Sequence, residues 1–385
     1  MTHTSTSFTI IGAGNGGKAM AAHLALMGFE VTLYNRTPRH VEAIKQRGGI
    51  HLESQDTGPK GFGKLARVTS NMQDAIRASN VIMVVVPAFA HASIARKAAQ
   101  FLSDGQIIVL NPGRTLGALE FQKVLTDNGC TAKIIIAETQ TFIYASRSDG
   151  PAQARIFRIK EAVPLAALPA RKTAQVLEIL KPPYPQFIDG GTILHTGLNN
   201  IGAIFHPTIT LHNAGWIEAT NGNFQFYLDG VTPSVAKLME AIDRERVRVA
   251  AVLGINAITA REWLKLAYNA EGDCLYEAIH NQPGYRGISA PPTINHRYLT
   301  EDVPMSLVPM ASLGNRYGIK VRGMESIIRQ ACIVHQKDYW ELGRTVEKFG
   351  IEKLSTRELK SLVIGKTPEG IECKRVYDYF QVSVA

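Results

Sequence analysis

Phe8-Thr9-Ile10-Ile11-Gly12-Ala13-Gly14-Asn15-Gly16-Gly17 sets an apolar run directly against a cluster of glycines. Glycines at 12, 14 and 17 satisfy the spacing G-x-G-x-x-G. The pattern alone is weak, because a chain with 33 glycines produces chance matches. Its context carries the reading: a buried strand precedes it, and helical spacing follows from about Gly16 to Met27. Gly12 allows the tight turn, Gly14 lets a backbone approach a pyrophosphate, and Gly17 allows close packing of helix on strand. The helix N-terminus adds N–H donors and a positive dipole. Gly12, Ala13, Gly14, Asn15, Gly16 and Gly17 are therefore expected to contact a dinucleotide. The plainer alternative is a tight strand-to-helix turn with no ligand.

Working outward, Phe29 to Tyr34 reads as a second strand, and Pro38 suits the first turn of the next helix. Val81-Ile82-Met83-Val84-Val85-Val86 is six apolar residues in a row, the pattern of a parallel strand covered on both faces. Ile107 to Leu110 and Ile134 to Ala137 repeat it, each after a helical segment. Alternating strands and helices predict a parallel, doubly wound sheet of the Rossmann kind. After about residue 190 the character changes. Helical spacing marks segments near 198–218, 233–252, 257–269, 304–317 and 322–346. The expected architecture is an α/β domain over 1–190 and a mostly α-helical domain over 191–385, divided near Gly190-Gly191.

The end of the second strand bears on which dinucleotide is bound. A cofactor without a 2′-phosphate usually meets an Asp or Glu there. This chain has Tyr34-Asn35-Arg36-Thr37 instead. Asn35 carries no repelling charge, Arg36 offers a planar cation for a phosphate, and Thr37 adds a hydroxyl. NADP(H) is expected over NAD(H), the alternative being an Arg36 merely solvated at a strand end. Two further loops fall at the carboxyl ends of strands, Pro87-Ala88-Phe89-Ala90-His91 and Asn111-Pro112-Gly113. Pro87 and Asn111 join the candidate cofactor contacts, although turn chemistry alone explains such loops.

Composition excludes several classes. The 385 residues are 45% hydrophobic and 19% charged, which is ordinary for a globular protein. No apolar run approaches the roughly 18 residues of a membrane span. Residues 1–7 lack a secretory pattern. Cys130, Cys274, Cys332 and Cys373 lie far apart, which argues against a zinc site or a disulfide framework and suits a cytoplasmic setting. Lys plus Arg exceed Asp plus Glu by 42 to 33, a net charge of +9. The basic residues are dispersed, and the densest group, Arg244-Glu245-Arg246-Val247-Arg248, is interrupted by an acid. No nucleic-acid module or basic stripe is present, so the surplus reads as a solvated face attractive to small anions.

In the helical half, His206-Pro207 follows Asn199-Asn200, and Arg297-Tyr298-Leu299-Thr300-Glu301-Asp302-Val303-Pro304 sets an arginine five residues before an aspartate. Histidine is the usual proton carrier near neutral pH. Read singly, His206 is one histidine among 11, Asp302 can cap a helix starting near Pro304, and Arg297 can be surface charge.

Taken in order, the glycine fingerprint, Val86 to His91, Asn111-Pro112-Gly113, Phe205-His206-Pro207 and Arg297 through Pro304 resemble the octopine/nopaline (opine) dehydrogenase family. The similarity runs from about residue 7 to 345. The fingerprint is common to many dehydrogenases, whereas the His-Pro element followed by Arg-x-x-x-x-Asp is far more particular. The resemblance implies a Rossmann domain, a helical domain, and reductive condensation of an amino acid or amine with a 2-oxo acid through an imine. It maps a catalytic histidine to His206, its aspartate partner to Asp302, and a carboxylate-binding arginine to Arg297. Substrate is then expected between the domains, with neither nucleic acid nor membrane as partner, and a homodimer as one possible assembly. Which amine is accepted stays open. Two other readings stay open as well: a related reductase of hydroxy or oxo acids, disfavoured by the lack of lysine between Gly197 and Pro207, and an NADPH-sensing binding protein.

Overall fold

The computed structural model describes residues 6–55 and 58–366. Contacts divide the chain into two compact units. The first runs to Thr196 and resumes at Lys360, and the second spans Gly197–Leu359. The division expected at 190/191 left the described end of the chain in the helical half, whereas contacts group it with the first unit from Lys360 on. The tail beyond Lys366, with Cys373, lies outside the described residues.

In the first unit, β1 (Ser7–Ile11), α1 (Asn15–Leu26) and β2 (Glu30–Tyr34) lead into α2 (Glu42–Arg47), β3 (Gly49–Ser54), β4 (Gly61–Lys64) and β5 (Arg67–Thr69). There follow α3 (Met72–Arg77), β6 (Val81–Val84), α4 (His91–Ala98), β7 (Ile107–Leu110), α5 (Gly117–Asp127) and β8 (Ile135–Thr139). β9 (Tyr144–Gly150), β10 (Gln153–Ile159), β11 (Val163–Leu168), α6 (Thr173–Leu180) and β12 (Phe187–Asp189) complete it. The main sheet has the order β12-β11-β8-β7-β6-β1-β2-β5 and is parallel except where β11 meets β8. Leu33, Ile10, Met83, Val109 and Ala137 align in register across five adjacent strands, and all are fully buried. Burying each large side chain of such a row stabilises by about 1.5–3 kcal/mol. A charge at Met83, in the middle, would have no partner and no water.

The apolar run expected as a strand over 81–86 ends its ladder at Val84. Val85 instead donates to the Ile11 carbonyl (2.8 Å) beside the glycine turn. Pro38 opens a single 3₁₀ turn, Pro38–His40, rather than a full helix.

A second sheet, β4-β3-β10-β9, is absent from the sequence reading. Its strands alternate polar with apolar residues or carry glycine and charge, as in Gly61-Phe62-Gly63-Lys64, so no continuous apolar run betrays them. It packs on the face of α1 turned away from the main sheet. That explains why α1 is alanine-rich and buried nearly all round. A Cβ on Gly63 would lie 2.8 Å from the Ala22 carbonyl, so only glycine permits the approach. Two polar residues are buried in α1 as a result. Lys18 Nζ donates to Ser148 Oγ (2.9 Å) and to the Gly150 carbonyl (3.0 Å), and burial lowers its ammonium below the usual range. His23 packs at a tilt against both Tyr144 and Tyr184, and burial pushes its imidazole down to about 4.

After β12 come α7 (Ile193–Leu198), which ends as the second unit begins, α8 (Gly202–His212), α9 (Ala214–Thr220), α10 (Pro233–Val252), α11 (Ala260–Tyr268) and α12 (Leu275–His280). α13 (Arg297–Thr300), α14 (Val308–Arg316), α15 (Arg322–His335), α16 (Tyr339–Leu342) and α17 (Thr356–Ile364) follow. α10 matches its expected span. It begins at Pro233, and the Thr232 hydroxyl caps it by accepting from Val235 N (3.3 Å). The segment expected over 198–218 is broken into two helices, α8 and α9, and that over 322–346 likewise into two.

The basic group at 244–248 is not a uniform solvated face. Arg246 is completely buried, donates to Asp243, and reaches the carbonyls of Leu198 and Ile258. The other Asp243 oxygen accepts from Ala260 N at the start of α11 (2.7 Å). Glu245 accepts from Gly323 N and Met324 N at the start of α15. The cluster therefore ties α10 to its neighbours. Losing one member would strand a buried charge, which typically costs about 3–5 kcal/mol.

Candidate active site

Three sequence-distant segments of the second unit meet at His206. α8 carries the histidine and holds Pro207 in its interior, where proline cannot donate to the turn before it. α13 packs against α8 and continues through Glu301 and Asp302 into a π-helical turn, Val303–Leu307, that leads into α14. Asn200 Nδ2 donates to Ser306 Oγ (2.9 Å), fastening this turn to the start of α8. π-helical turns widen the backbone locally and recur at functional sites. The third segment is the loop around Tyr227, before α10.

The geometry around the imidazole is specific. His206 Nδ1 lies 2.8 Å from Asp302 Oδ2, and the Asp302 side chain is completely buried. A carboxylate accepts only, so Nδ1 carries a proton and donates. His206 Nε2 lies 3.2 Å from the Tyr227 hydroxyl. The Tyr298 ring stacks on the imidazole, with centroids 4.2 Å apart and planes 17° apart. The ring is thus held at both nitrogens and on one face. Asp302 does stand at the first position of a helical turn, but its side chain makes no cap hydrogen bond there. The helix-cap alternative is therefore set aside.

Arg297 occupies the first position of α13, next to Tyr298. Its guanidinium pairs with Glu301 at 2.8 Å; about half of the arginine is exposed, whereas the glutamate is buried. Tyr227 is buried against Tyr285, with ring centroids 4.0 Å apart. Burial, then the neighbouring tyrosines and Asp302, hold its phenol well above the ordinary range, so it stays protonated.

The structure thus brings His206 and Asp302 together and places Arg297 on the same short helix as the stacking partner. Tyr227, Tyr298 and Glu301 were missed by sequence reasoning. Glu301 had a signal, being four residues after Arg297 and so on the same helix face. Tyr227 had none, because nothing in its local sequence points to position 206.

In the first unit, the glycine turn fits a dinucleotide. Gly12 has φ of +115°, and a Cβ there would lie 2.4 Å from the Val85 carbonyl. On Gly17 a Cβ would strike the Gly12 carbonyl, whereas on Gly14 it would meet nothing within 4 Å. Gly12 and Gly17 are therefore required by the protein's own packing. Gly14 is not, and its open side is the space a pyrophosphate would need. Ala13 N donates to Asn35 Oδ1 (3.3 Å), which ties the turn to the end of β2. The Asn35 amide in turn donates to the Thr37 carbonyl (3.2 Å). Asn15 Oδ1 accepts from Ser148 N, and a Cβ on Gly16 would strike the Phe142 ring. Arg36 is exposed, and its charge offsets part of the burial that raises the Tyr34 phenol. Pro87 is exposed at the head of the loop after β6. Asn111 is buried after β7; its Nδ2 donates to the Val109 carbonyl (2.8 Å), and its Oδ1 has no partner among the described residues.

The helical half, residues 190–335, matches the family described as NAD/NADP octopine/nopaline dehydrogenase, alpha-helical domain. Residues 7–114 match the N-terminus of NAD-dependent glycerol-3-phosphate dehydrogenase. An opine dehydrogenase of Arthrobacter sp. (strain 1C) is 38% identical over 93% of this chain and 99% of its own length. Octopine dehydrogenase of Pecten maximus is 23% identical over 86% of this chain and 90% of its own. Among solved structures, octopine dehydrogenase with NADH and L-arginine superposes with a TM-score of 0.78 at 19% identity, covering 95% of this chain and all of its own. Yersinopine dehydrogenase with NADP+ gives 0.69 at 14% identity, covering 99% of each chain. At these identities the structural likeness speaks for the fold.

Proposed function

The chain belongs to the opine dehydrogenase family, and from that premise we propose that His206, Asp302 and Arg297 carry out the condensation of an amino acid or amine with a 2-oxo acid. The protein is an NAD(P)-dependent oxidoreductase acting on CH–NH groups, with a Rossmann-type domain followed by a helical one. The observation that carries the residue assignment is the 2.8 Å contact between His206 Nδ1 and the buried Asp302 carboxylate.

Joining an amine to a 2-oxo acid expels water, which requires a proton delivered to the departing oxygen. His206 Nε2 is the ring nitrogen left for that exchange. Asp302 holds the tautomer and stabilises the imidazolium, as in other His–Asp pairs. Tyr298 fixes the ring plane. Tyr227 occupies the hydrogen-bonding position at Nε2 that a substrate oxygen would share. Arg297, steadied by Glu301, is suited to grip the oxo-acid carboxylate with its planar fork. The nicotinamide, when bound, supplies the hydride that reduces the carbon–nitrogen double bond.

Gly12 to Gly17 would hold the pyrophosphate, and Arg36 with Asn35 and Thr37 would hold the 2′-phosphate, so NADP(H) is the preferred cofactor. The neutral Asn35 and the exposed cation of Arg36 support this. The free thiols of Cys130, Cys274 and Cys332 are compatible with a cytoplasmic setting, and among the described residues no helix is long and apolar enough to cross a membrane.

The test mixes protein and NADPH with pyruvate, glyoxylate or 2-oxoglutarate, crossed against a panel of amino acids and amines, and follows cofactor oxidation. Oxidation requiring both partners is expected. Oxidation with an oxo acid alone would make the protein a hydroxy-acid dehydrogenase, and none across the panel would favour a cofactor-binding regulator.

A further inference from the structure

Asn111 follows the central strand β7 and is only 3% exposed. Its backbone N–H donates to the Val84 carbonyl (2.9 Å), which extends the pairing with β6 by one bond. On the β8 side, Gly113 N donates to the Thr139 carbonyl (3.1 Å), and the Thr139 hydroxyl donates to the Leu110 carbonyl (3.3 Å). The strand end is therefore held from both neighbours.

The Asn111 side-chain amide has one possible orientation. Nδ2 donates to the Val109 carbonyl (2.8 Å), and a carbonyl can only accept, so the remaining atom is the oxygen. That Oδ1 is buried and accepts from no donor among the described residues. Leaving a buried amide oxygen without a donor is costly. Such an atom marks a place where a ligand or a water supplies the N–H or O–H.

Topology indicates which ligand. In the main sheet the chain proceeds from β1 to β2 on one side, and from β6 through β7 to β8 on the other, so the strand order reverses between β1 and β6. Dinucleotides bind across such a reversal, at the carboxyl ends of the strands. The glycine turn lies there, and Val85, directly after β6, donates to the Ile11 carbonyl beside it. Toward β2 the turn is tied to Asn35 through Ala13 N, the side assigned above to the adenosine half. The nicotinamide half then extends the other way, over the ends of β6 and β7. Asn111 stands two strand spacings, about 10 Å, from the end of β1. One ribose with its ring covers that span.

The geometry points to Asn111 Oδ1 as the acceptor for the carboxamide N–H of the nicotinamide. The inference rests on the dinucleotide site proposed for Gly12 to Gly17. A carboxamide brings an N–H to an oxygen that needs one. Held there, the ring cannot rotate about its bond to the ribose, which fixes the face that it presents for hydride transfer.

The test measures binding without turnover, by calorimetric titration of wild type and Asn111→Ala. The ligands are NADP+, its 3-acetylpyridine analogue, its nicotinic acid analogue, and 2′-phospho-ADP-ribose, which lacks the ring. The corresponding NAD+ series replaces them if wild type binds NAD+ more tightly. A methyl ketone offers no N–H, and a carboxylate sets oxygen against oxygen. Wild type should therefore bind the acetylpyridine analogue about 5-fold or more weakly than NADP+, and the nicotinic acid analogue about 10-fold or more weakly. Asn111→Ala should weaken NADP+ about 5-fold or more and bring it within threefold of the acetylpyridine analogue. Its affinity for 2′-phospho-ADP-ribose should stay put. If wild type binds all three dinucleotides equally, Oδ1 belongs to a water and the assignment is overturned. That comparison needs no variant, so it decides even if Asn111→Ala does not fold. Equal weakening of NADP+ and 2′-phospho-ADP-ribose in the variant would make Asn111 purely structural. If wild type binds neither the dinucleotides nor 2′-phospho-ADP-ribose, the site at Gly12 to Gly17 falls, and the Asn111 contact falls with it.

Discussion

Replacing Asp302 with asparagine removes one charge and keeps the shape. The Nδ1–Oδ2 distance of 2.8 Å sets imidazolium and carboxylate charges about 4 Å apart. At an effective dielectric constant of about 20 their attraction is about 4 kcal/mol. Asparagine keeps a carbonyl acceptor for Nδ1, so the hydrogen bond can survive while the charge interaction is lost. If the imidazolium forms fully in the transition state, turnover should fall by up to about 10³-fold, at tenfold per 1.4 kcal/mol. Partial charge development brings the expected range to about 10²–10³. NADPH oxidation should be followed under saturating substrates, with deuterated cofactor used to establish that the chemical step limits the rate. Cofactor affinity should be unchanged, because no part of the dinucleotide fingerprint is touched. Turnover within threefold of wild type, with the chemical step limiting, would refute the proton-transfer assignment. A lower melting temperature with turnover intact would return Asp302 to a purely structural role.

Arg36→Ala should weaken NADPH about 10- to 150-fold, the worth of a charge-assisted hydrogen bond, and leave NADH nearly unchanged; equal weakening of both by titration would mean that the phosphate pocket is misassigned. Asn35→Asp combined with Arg36→Ala should invert the preference. Arg297→Ala should raise the KM for the oxo acid and lower turnover, and Arg297→Lys should restore only part, since an ammonium lacks the planar fork; a uniform rise for all ligands would point to general disorder of α13. Tyr227→Phe should slow turnover by about 2- to 10-fold, the worth of a neutral hydrogen bond at Nε2. In a His206→Ala background it should add nothing, and full additivity in that double-mutant cycle would separate Tyr227 from His206. Finally, the His23 imidazole is pushed by burial from 6.5 to about 4, so the unfolded chain takes up its proton first as pH falls. The resulting stability is fully present above pH 6.5 and is lost between pH 6.5 and 4, by about 3 kcal/mol in total. His23→Leu should flatten that part of the difference in unfolding free energy, and an unchanged slope from pH 7 to 4 would contradict it.

Much of the architecture was legible in the chain itself, because it rests on local periodicity and backbone freedom. The buried runs at Phe8–Ile11, Val81–Val84 and Ile107–Leu110 are apolar on both faces, and only a covered parallel sheet satisfies them. Gly12 and Gly17 announce a turn that no residue with a side chain could make. α10 declares its start through Thr232 and Pro233. His206, Arg297 and Asp302 were ambiguous when read singly and were paired only through the family resemblance; local pattern does not bring residues 96 apart within a hydrogen bond. That contact depends on how α8, α13 and the π-helical turn pack. Tyr227, likewise, owes its place to a loop with no local signature. The second sheet escaped notice because its strands are polar on one face and carry no continuous apolar run, and they find their apolar partner only when laid against α1. Arg246 read as solvated charge and proved to be a buried tie, since burial of a charged residue is set by partners from elsewhere in the chain. Local pattern specifies which elements form; which side chains meet, and with what charge and burial, is decided only when those elements pack.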